Sequence, residues 1–445
     1  MDNSSLIKMK IRLSYLAFLL FLQQIYVSCS KDKLQSEIKP NIIWLVAEDQ
    51  SPMFFPMYGD STVKLPNLSS LEKDGILYTN AYTPAPVCAP ARSALITGLY
   101  PTTMGTHNMR TFNPYKKENE PSIGIPNYSP LVPIGVKMFP EYLRAEGYYT
   151  TNSSKEDYNF KKTDGAWNDS STSAHWRNRS SNQPFFSVFN FGITHESQIW
   201  EQANKELLVD PELVPIPPVF PKTNEIKNDI AINYSNLIRL DEKIGELIDE
   251  LKSEGLYKNS VIFFFSDHGG PFPRYKRAIY ETGIRVPLIV KLPNSKNAGT
   301  INNDFISFID FAPTILSIAK IKPPEVMQGK AKLGIYKENK NEPFVFAASD
   351  RFDEKTDRLR AVRYKNFKYI RNFNPNISNA ISVSYREQMP MMQNLNQLWK
   401  DQKMEKNVSR WFITPKPIEE LYNLDKDPYE LNNLANKIKQ KEILK

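Results

Sequence analysis

Three apolar runs punctuate the chain, and each ends in ionisable or polar residues. Asn41-Ile-Ile-Trp-Leu-Val-Ala47 stops at Glu48-Asp49, Pro184-Phe185-Phe186-Ser187-Val188-Phe189-Asn190-Phe191 runs into Gly192-Ile193-Thr194-His195-Glu196, and Ser260-Val-Ile-Phe-Phe-Phe-Ser266 ends in Asp267-His268-Gly269-Gly270. Such near-continuous runs predict strands buried on both faces. Open α/β sheets place their sites just beyond the C-terminal ends of such strands. Between the second and third runs, Asp229 to Leu251 repeats apolar residues at helical spacing (Ile230, Tyr234, Leu237, Ile244, Ile248) and predicts a long amphipathic helix, with Asp241 near the stripe in a structural role. Phe139 to Glu146 predicts a shorter helix stopped by Gly147, and the five prolines between 211 and 221 predict a loop over 200–226. After residue 325 the pattern turns polar, and Phe344–Ala348, Arg360–Arg363 and Lys368–Ile370 read as short strands of a smaller sheet.

Composition narrows this little. Hydrophobic content of 41% and charged content of 24% in 445 residues are those of a globular protein with ample core. The net charge of +8 suits a polyanionic partner. No nucleic-acid-binding motif or Lys/Arg block accompanies it, so nucleic acid is not expected. At the N-terminus, Lys8, Lys10 and Arg12 precede the apolar stretch Leu13 to Leu22, which is short for a bilayer span. The following Val27-Ser28-Cys29-Ser30 resembles a bacterial lipoprotein signal. The resemblance implies a leader over 1–29, lipidation at Cys29 and a polar tether over 30–39. An envelope protein of a Gram-negative bacterium follows, anchored in the outer membrane by lipid alone; an ordinary cleaved signal or an uncleaved anchor is the alternative. Cys29 and Cys88 are the only cysteines, so no structural disulfide is expected.

Cys88 lies in Pro86-Val87-Cys88-Ala89-Pro90-Ala91-Arg92-Ser93-Ala94. Pro84 and Pro86 disfavour helix before it, Pro90 suits a first helical turn, and Gly98 suits a stop. The cysteine therefore falls at a helix N-terminus, where free N–H groups favour negative charge, with Arg92 one turn later. A buried inert cysteine is the competing reading. The pattern Cys-x-Pro-x-Arg followed by Ser-Ala-Leu-Ile-Thr-Gly resembles the signature of the formylglycine-dependent sulfatases of the alkaline phosphatase-like superfamily. Further matches follow in order over 40–320 and 342–436, ending in Glu420-Leu421-Tyr422-Asn423-Leu424-Asp425. The resemblance implies a large, mostly parallel central sheet flanked by helices in a catalytic domain over 40–325. A smaller C-terminal α+β domain over 326–445, built on a short antiparallel sheet, would complete the α/β fold.

The same resemblance assigns roles. A maturase would oxidise Cys88 to formylglycine (3-oxoalanine), held in place by Arg92. Glu48 and Asp49, Asp267 and His268, with residue 88, would bind one divalent cation, most readily calcium, with a bond from His268 to substrate or to the hydrated aldehyde as the alternative for that residue. Most members carry Asp-Asp where this chain has Glu48-Asp49. Lys155 and Lys276 would neutralise the sulfate, with Arg277 the near alternative to Lys276. Ser154 and Asp157 depart from the usual Gly-Lys-x-His around Lys155. His195 would protonate the departing oxygen after a hydroxyl of the hydrated aldehyde attacks sulfur. His107 and Arg110, on a polar segment near the cysteine, are candidates for substrate contact, as are Arg351, Asp353 and Arg358 of the smaller domain; a polar surface loop is the alternative for the first pair. The segments around residues 147–152 and 194–197 are most similar to the branch near heparan N-sulfatases, which includes ulvan-active enzymes. The expected substrate is a sulfated polysaccharide or its oligosaccharides, an algal polymer such as ulvan being favoured, with the sugar read by loops such as 105–130, 161–183 and 370–412. Alternatives are an N-sulfoglucosamine sulfohydrolase, a phosphonate or phosphate ester hydrolase of the same superfamily, and a non-catalytic glycan-binding lipoprotein.

Overall fold

The computed structural model describes residues 39–110, 128–340 and 342–437. The leader and Cys29 lie outside the described residues. Within these bounds no helix is long and apolar enough to cross a membrane.

The first sheet contains β1 (Asn41–Ala47), β2 (Ile76–Tyr82), β3 (Tyr149–Ser153), β4 (Asp169–Ser171), β5 (Phe185–Phe191), β6 (Ser260–Ser266), β7 (Arg285–Lys291), β8 (Thr300–Asn302) and β9 (Ile306–Ser307). Their order is β4-β3-β5-β1-β6-β7-β2-β8, with β9 also on β2. Among the described strands only β7 runs against the rest. The three apolar runs are the adjacent strands β5, β1 and β6, as buried strands should be. Along β1, Ile43, Leu45 and Ala47 enter one core while Ile42, Trp44 and Val46 enter the other, so every position after Asn41 is apolar. Trp44 alone meets Phe139, Phe186 and Phe265 at ring separations of 5.3, 5.2 and 5.3 Å. Truncating such a ring typically costs about 3–5 kcal/mol.

The long helix spans Asn224–Ser253, five residues longer at its start than the apolar stripe predicts, because Thr223 caps it through Ile226 N–H. Its Asp241 is structural: the carboxylate accepts Leu68 N–H at 2.8 Å and Asn67 N–H at 3.1 Å, capping the helix Pro66–Lys73 from outside. The helix that begins at Cys88 is Cys88–Thr97, ended by Gly98 at φ 71°, a left-handed position that glycine adopts without strain. Its Ala91, Ala94 and Leu95 pack into the second core with Phe311, Ile315 and Leu316 of the helix Phe311–Ile318.

The smaller sheet is antiparallel, in the order β10 (Phe344–Phe352), β11 (Lys355–Tyr364), β12 (Phe367–Asn372) and β13 (Glu419–Asn423). Two of the expected recognition loops carry secondary structure. Segment 161–183 contributes β4, and segment 370–412 holds the helix Pro390–Lys400, whose Met391, Met392 and Leu395 are buried and whose Met391 N–H is received by Asp229 at 2.7 Å.

Candidate active site

Register brings the site together. Ala47 pairs with Phe191 on one side and Ser266 on the other, so the residues after β1, β5 and β6 emerge at one edge. Asp49 takes φ 55°, and its N–H donates to Asp267 Oδ1 at 3.2 Å. Asp49 Oδ2 accepts from Glu196 N–H at 2.7 Å, and Thr194 Oγ1 donates to the Glu48 carbonyl at 2.6 Å, so all three strand ends are mutually hydrogen-bonded. Gly269 is obligatory here: a Cβ would lie 2.0 Å from the Thr282 carbonyl oxygen.

Onto this edge the helix Cys88–Thr97 delivers its first residue. Cys88 is buried, with Sγ 3.2 Å from His268 Nε2. Arg92, one turn on, donates to Asp267 Oδ2 at 3.1 Å and to Asn190 Oδ1 at 2.7 Å. Asn190 in turn donates to Asn152 Oδ1 at 3.0 Å, which ties β5 to β3 and to the turn carrying Lys155. The loop before β7 hands in Lys276, whose Nζ reaches Asp49 Oδ2 at 2.7 Å, His195 Nε2 at 3.1 Å and Glu196 Oε1 at 3.1 Å. That loop is fixed to the cysteine's approach by Arg277 N–H to the Pro86 carbonyl at 2.7 Å.

The charges balance against burial. Burial pushes the Cys88 thiol up, but Lys155 and Lys276 outweigh it and bring the group down to about 7. Burial likewise opposes ionisation of Asp267, which His268, Arg92 and Lys155 nonetheless hold at about 2. Burial disfavours the His268 imidazolium, yet Asp267 and Asp49 raise it to about 10. Lys276 is held far above the usual lysine range by Asp49 despite its own burial.

Asp49, Cys88, Asp267 and His268 offer ligand atoms all within 4.8 Å of one another. Asp49 Oδ1 is buried with no donor aligned on it, although His268 Nε2 is 3.0 Å away. Two ionised carboxylates with an orphaned oxygen fit a hard divalent cation.

The expected residues do not all converge. Glu48 stands outside that cluster: its Oε2 pairs with Lys155 Nζ at 2.6 Å. Arg277 forms a clamp, with its two Nη atoms on Glu196 at 2.8 Å each and Nε on Asp353 Oδ2 at 2.7 Å. Arg110 stands at the mouth, 44% exposed, 3.6 Å from Asp353. No contact recorded among the described residues ties His107 to Cys88 or the lysines. Arg351 is a strut rather than a cleft cation: it donates to the Asp353 and Met109 carbonyls at 2.7 and 2.9 Å. Asn190, Glu196 and, in its role as a clamp, Asp353 were not foreseen. Asn190 did leave a signal, a polar side chain inside an otherwise apolar strand.

Comparison with known proteins agrees with this geometry. The sulfatase family model matches residues 40–211 and 173–321, and the model of the N-sulphoglucosamine sulphohydrolase C-terminal region matches 272–412. An ulvan-active sulfatase of Formosa agariphila is 42% identical over 96% of this chain and 78% of its own length. Human N-sulphoglucosamine sulphohydrolase is 22% identical over 89% of this chain and 86% of its own. A structure solved with its substrate D-glucosamine-2-N,6-O-disulfate shares the fold, with a TM-score of 0.64 at 17% identity, covering 91% of this chain and 95% of that one. With the family model spanning most of β1 to β9 and a relative alike over nearly its whole length, the chain belongs to the sulfatase family and is an enzyme that hydrolyses sulfate esters.

Proposed function

We propose that this enzyme removes sulfate from ulvan or its oligosaccharides, using residue 88 as formylglycine and one calcium ion. The observation that carries the chemistry is the grouping of buried Cys88 with Asp49, Asp267 and His268 within 4.8 Å, with Lys276 on Asp49 at 2.7 Å. The 42% identity to an ulvan-active sulfatase supports the sugar.

A sulfate ester is an anion and resists attack by an electron pair. Lys155 and Lys276 offset that repulsion and stabilise charge gathering on the sulfuryl oxygens. Arg92 fixes the helix start against Asp267 and so sets where residue 88 points. Lys276 Nζ lies 3.1 Å from His195 Nε2 and holds the imidazole in place, and the departing sugar oxygen takes its proton from His195. Asp49, Asp267 and His268 would hold the cation, beside residue 88. When present, the cation polarises the sulfate and the hydrated aldehyde supplies the nucleophilic oxygen.

Maturation by a formylglycine-generating enzyme and anchoring through Cys29 complete the proposal, the latter supported by the leader pattern Lys8 to Ser30. Mass measurement of the peptide spanning Cys88 reads the aldehyde directly. Sulfate release from ulvan, carrageenan and heparin oligosaccharides in parallel reads the substrate; release confined to N-sulfated glucosamine would replace ulvan by a heparan-type substrate.

A further inference from the structure

Beside the sulfate-handling residues stands an aromatic wall that the reaction as described does not use. The short helix Ser197–Glu201, directly after His195 and Glu196, carries Trp200. Tyr385, from the segment between β12 and the helix Pro390–Lys400, sets its ring edge-on to Trp200 at 5.2 Å and 76°, and 6.2 Å from the His195 imidazole. Tyr385 is 37% exposed, although its own turn is anchored. Val383 and Arg386 on either side are buried, Arg386 lies over the Trp411 ring at 5.1 Å, and Ser384 N–H donates to Glu354 Oε1 at 2.8 Å. A firmly held turn that leaves more than a third of one large aromatic residue in solvent, beside His195, is built to present that ring.

We infer that Tyr385, backed by Trp200, is the surface on which the sugar bearing the scissile sulfate rests. This deepens the proposed function and rests on it. Pyranose rings offer apolar C–H faces, and binding pockets for such ligands combine aromatic walls with a few placed polar groups. The lysines recognise sulfate whatever carries it. The wall recognises the carrier, and it holds the ring so that the bridging oxygen faces His195. The same His195 is fixed from below by Lys276 and from the side by Ser197, whose Oγ lies 3.2 Å from His195 Nδ1. The sugar therefore meets the acid at a defined orientation.

The test uses the matured full-length enzyme with sulfated ulvan oligosaccharides and inorganic sulfate as a competitive probe. Tyr385→Ala is expected to raise KM for the oligosaccharide about tenfold, more than it lowers kcat, while the inhibition constant of inorganic sulfate stays within about twofold. The ring-conserving Tyr385→Phe is expected to restore KM to within about threefold of the parent. An unchanged KM in Tyr385→Ala would overturn the wall, as would a parallel loss of inorganic sulfate affinity or a loss in Tyr385→Phe equal to that in the alanine variant. A parent enzyme that releases sulfate from no oligosaccharide would instead sink the proposed function, and the wall with it.

Discussion

Two of the clusters of buried charge among the described residues have carboxylates that behave in opposite ways. At the strand ends, Asp267 and Glu196 are held down to about 2 although burial alone would raise them. Where β12 meets the segment after β13, Lys368 Nζ lies 3.0 Å from Glu430 and 3.5 Å from Glu281, with Arg363 3.7 Å from Glu281. There Glu430 is raised: burial leads, and Glu281 adds repulsion that Lys368 and Arg274 do not overcome. The first cluster is rich in cations and opens to solvent through Lys155 and Arg110, whose side chains are 25% and 44% exposed. The second is sealed, with the Lys368 and Glu430 side chains fully buried. A cluster with a mouth and partly exposed cations is ready for an incoming anion, whereas a sealed one ties elements together.

This contrast is open to direct attack. Cys88→Ala should abolish sulfate release by at least about 10,000-fold while the thermal midpoint stays near that of the parent, because the site's charges remain paired. Turnover within a hundredfold of the parent would remove residue 88 from the chemistry. Lys368→Met should do the reverse. It strands two buried carboxylates and is expected to cost about 3–5 kcal/mol in denaturant unfolding, with kcat of the folded fraction within about twofold. Glu196→Gln probes the border between the two behaviours, since it removes the charge that steadies both Lys276 and Arg277. A fall in kcat of about tenfold is expected, with only a small stability loss, measured by steady-state kinetics and melting.

The smallest effect concerns a buried carboxylate in neither cluster. Burial pushes Asp229 up to about 7, against the Met391 N–H bond and with Glu225 adding to the rise. Its folded pKa thus exceeds the unfolded value of 3.8, so its contribution to stability is full below about 4 and is lost as pH rises through about 7. Asp229→Asn keeps an acceptor for Met391 and should flatten that slope, gaining about 1–3 kcal/mol at pH 8 and little at pH 4. A slope unchanged by the substitution would place the titration elsewhere.

Much of this architecture was legible because β1, β5 and β6 are buried on both faces, which leaves an unbroken apolar run and an abrupt polar end. The Cys88 helix was legible through Pro90 and Gly98. The direction of β7 was not, since Arg285–Lys291 reads the same whether its neighbours run with it or against it. Helix Pro390–Lys400 hid in a polar stretch because only Met391, Met392 and Leu395 face the core. The acidic pair was found, but not that Glu48 turns to Lys155 while Asp49 turns to Lys276. Both partners lie more than a hundred residues away, and local pattern carries no trace of them. The clamp made by Arg277 was hidden for the same reason: Asp353, which it meets, follows β10 of the other sheet.

The depth of Cys88 has a temporal consequence. The residue is 2% exposed and locked into the first helical turn, with Ala91 N–H bonded to the Val87 carbonyl at 3.1 Å. Another enzyme's catalytic centre has no access to a side chain in that state. The conversion of thiol to aldehyde that the proposed mechanism needs would therefore take place on the extended chain, during or soon after synthesis. Under the proposed mechanism, a molecule that folds first would keep its thiol, and the active fraction of a preparation would report how much of the chain was converted before folding.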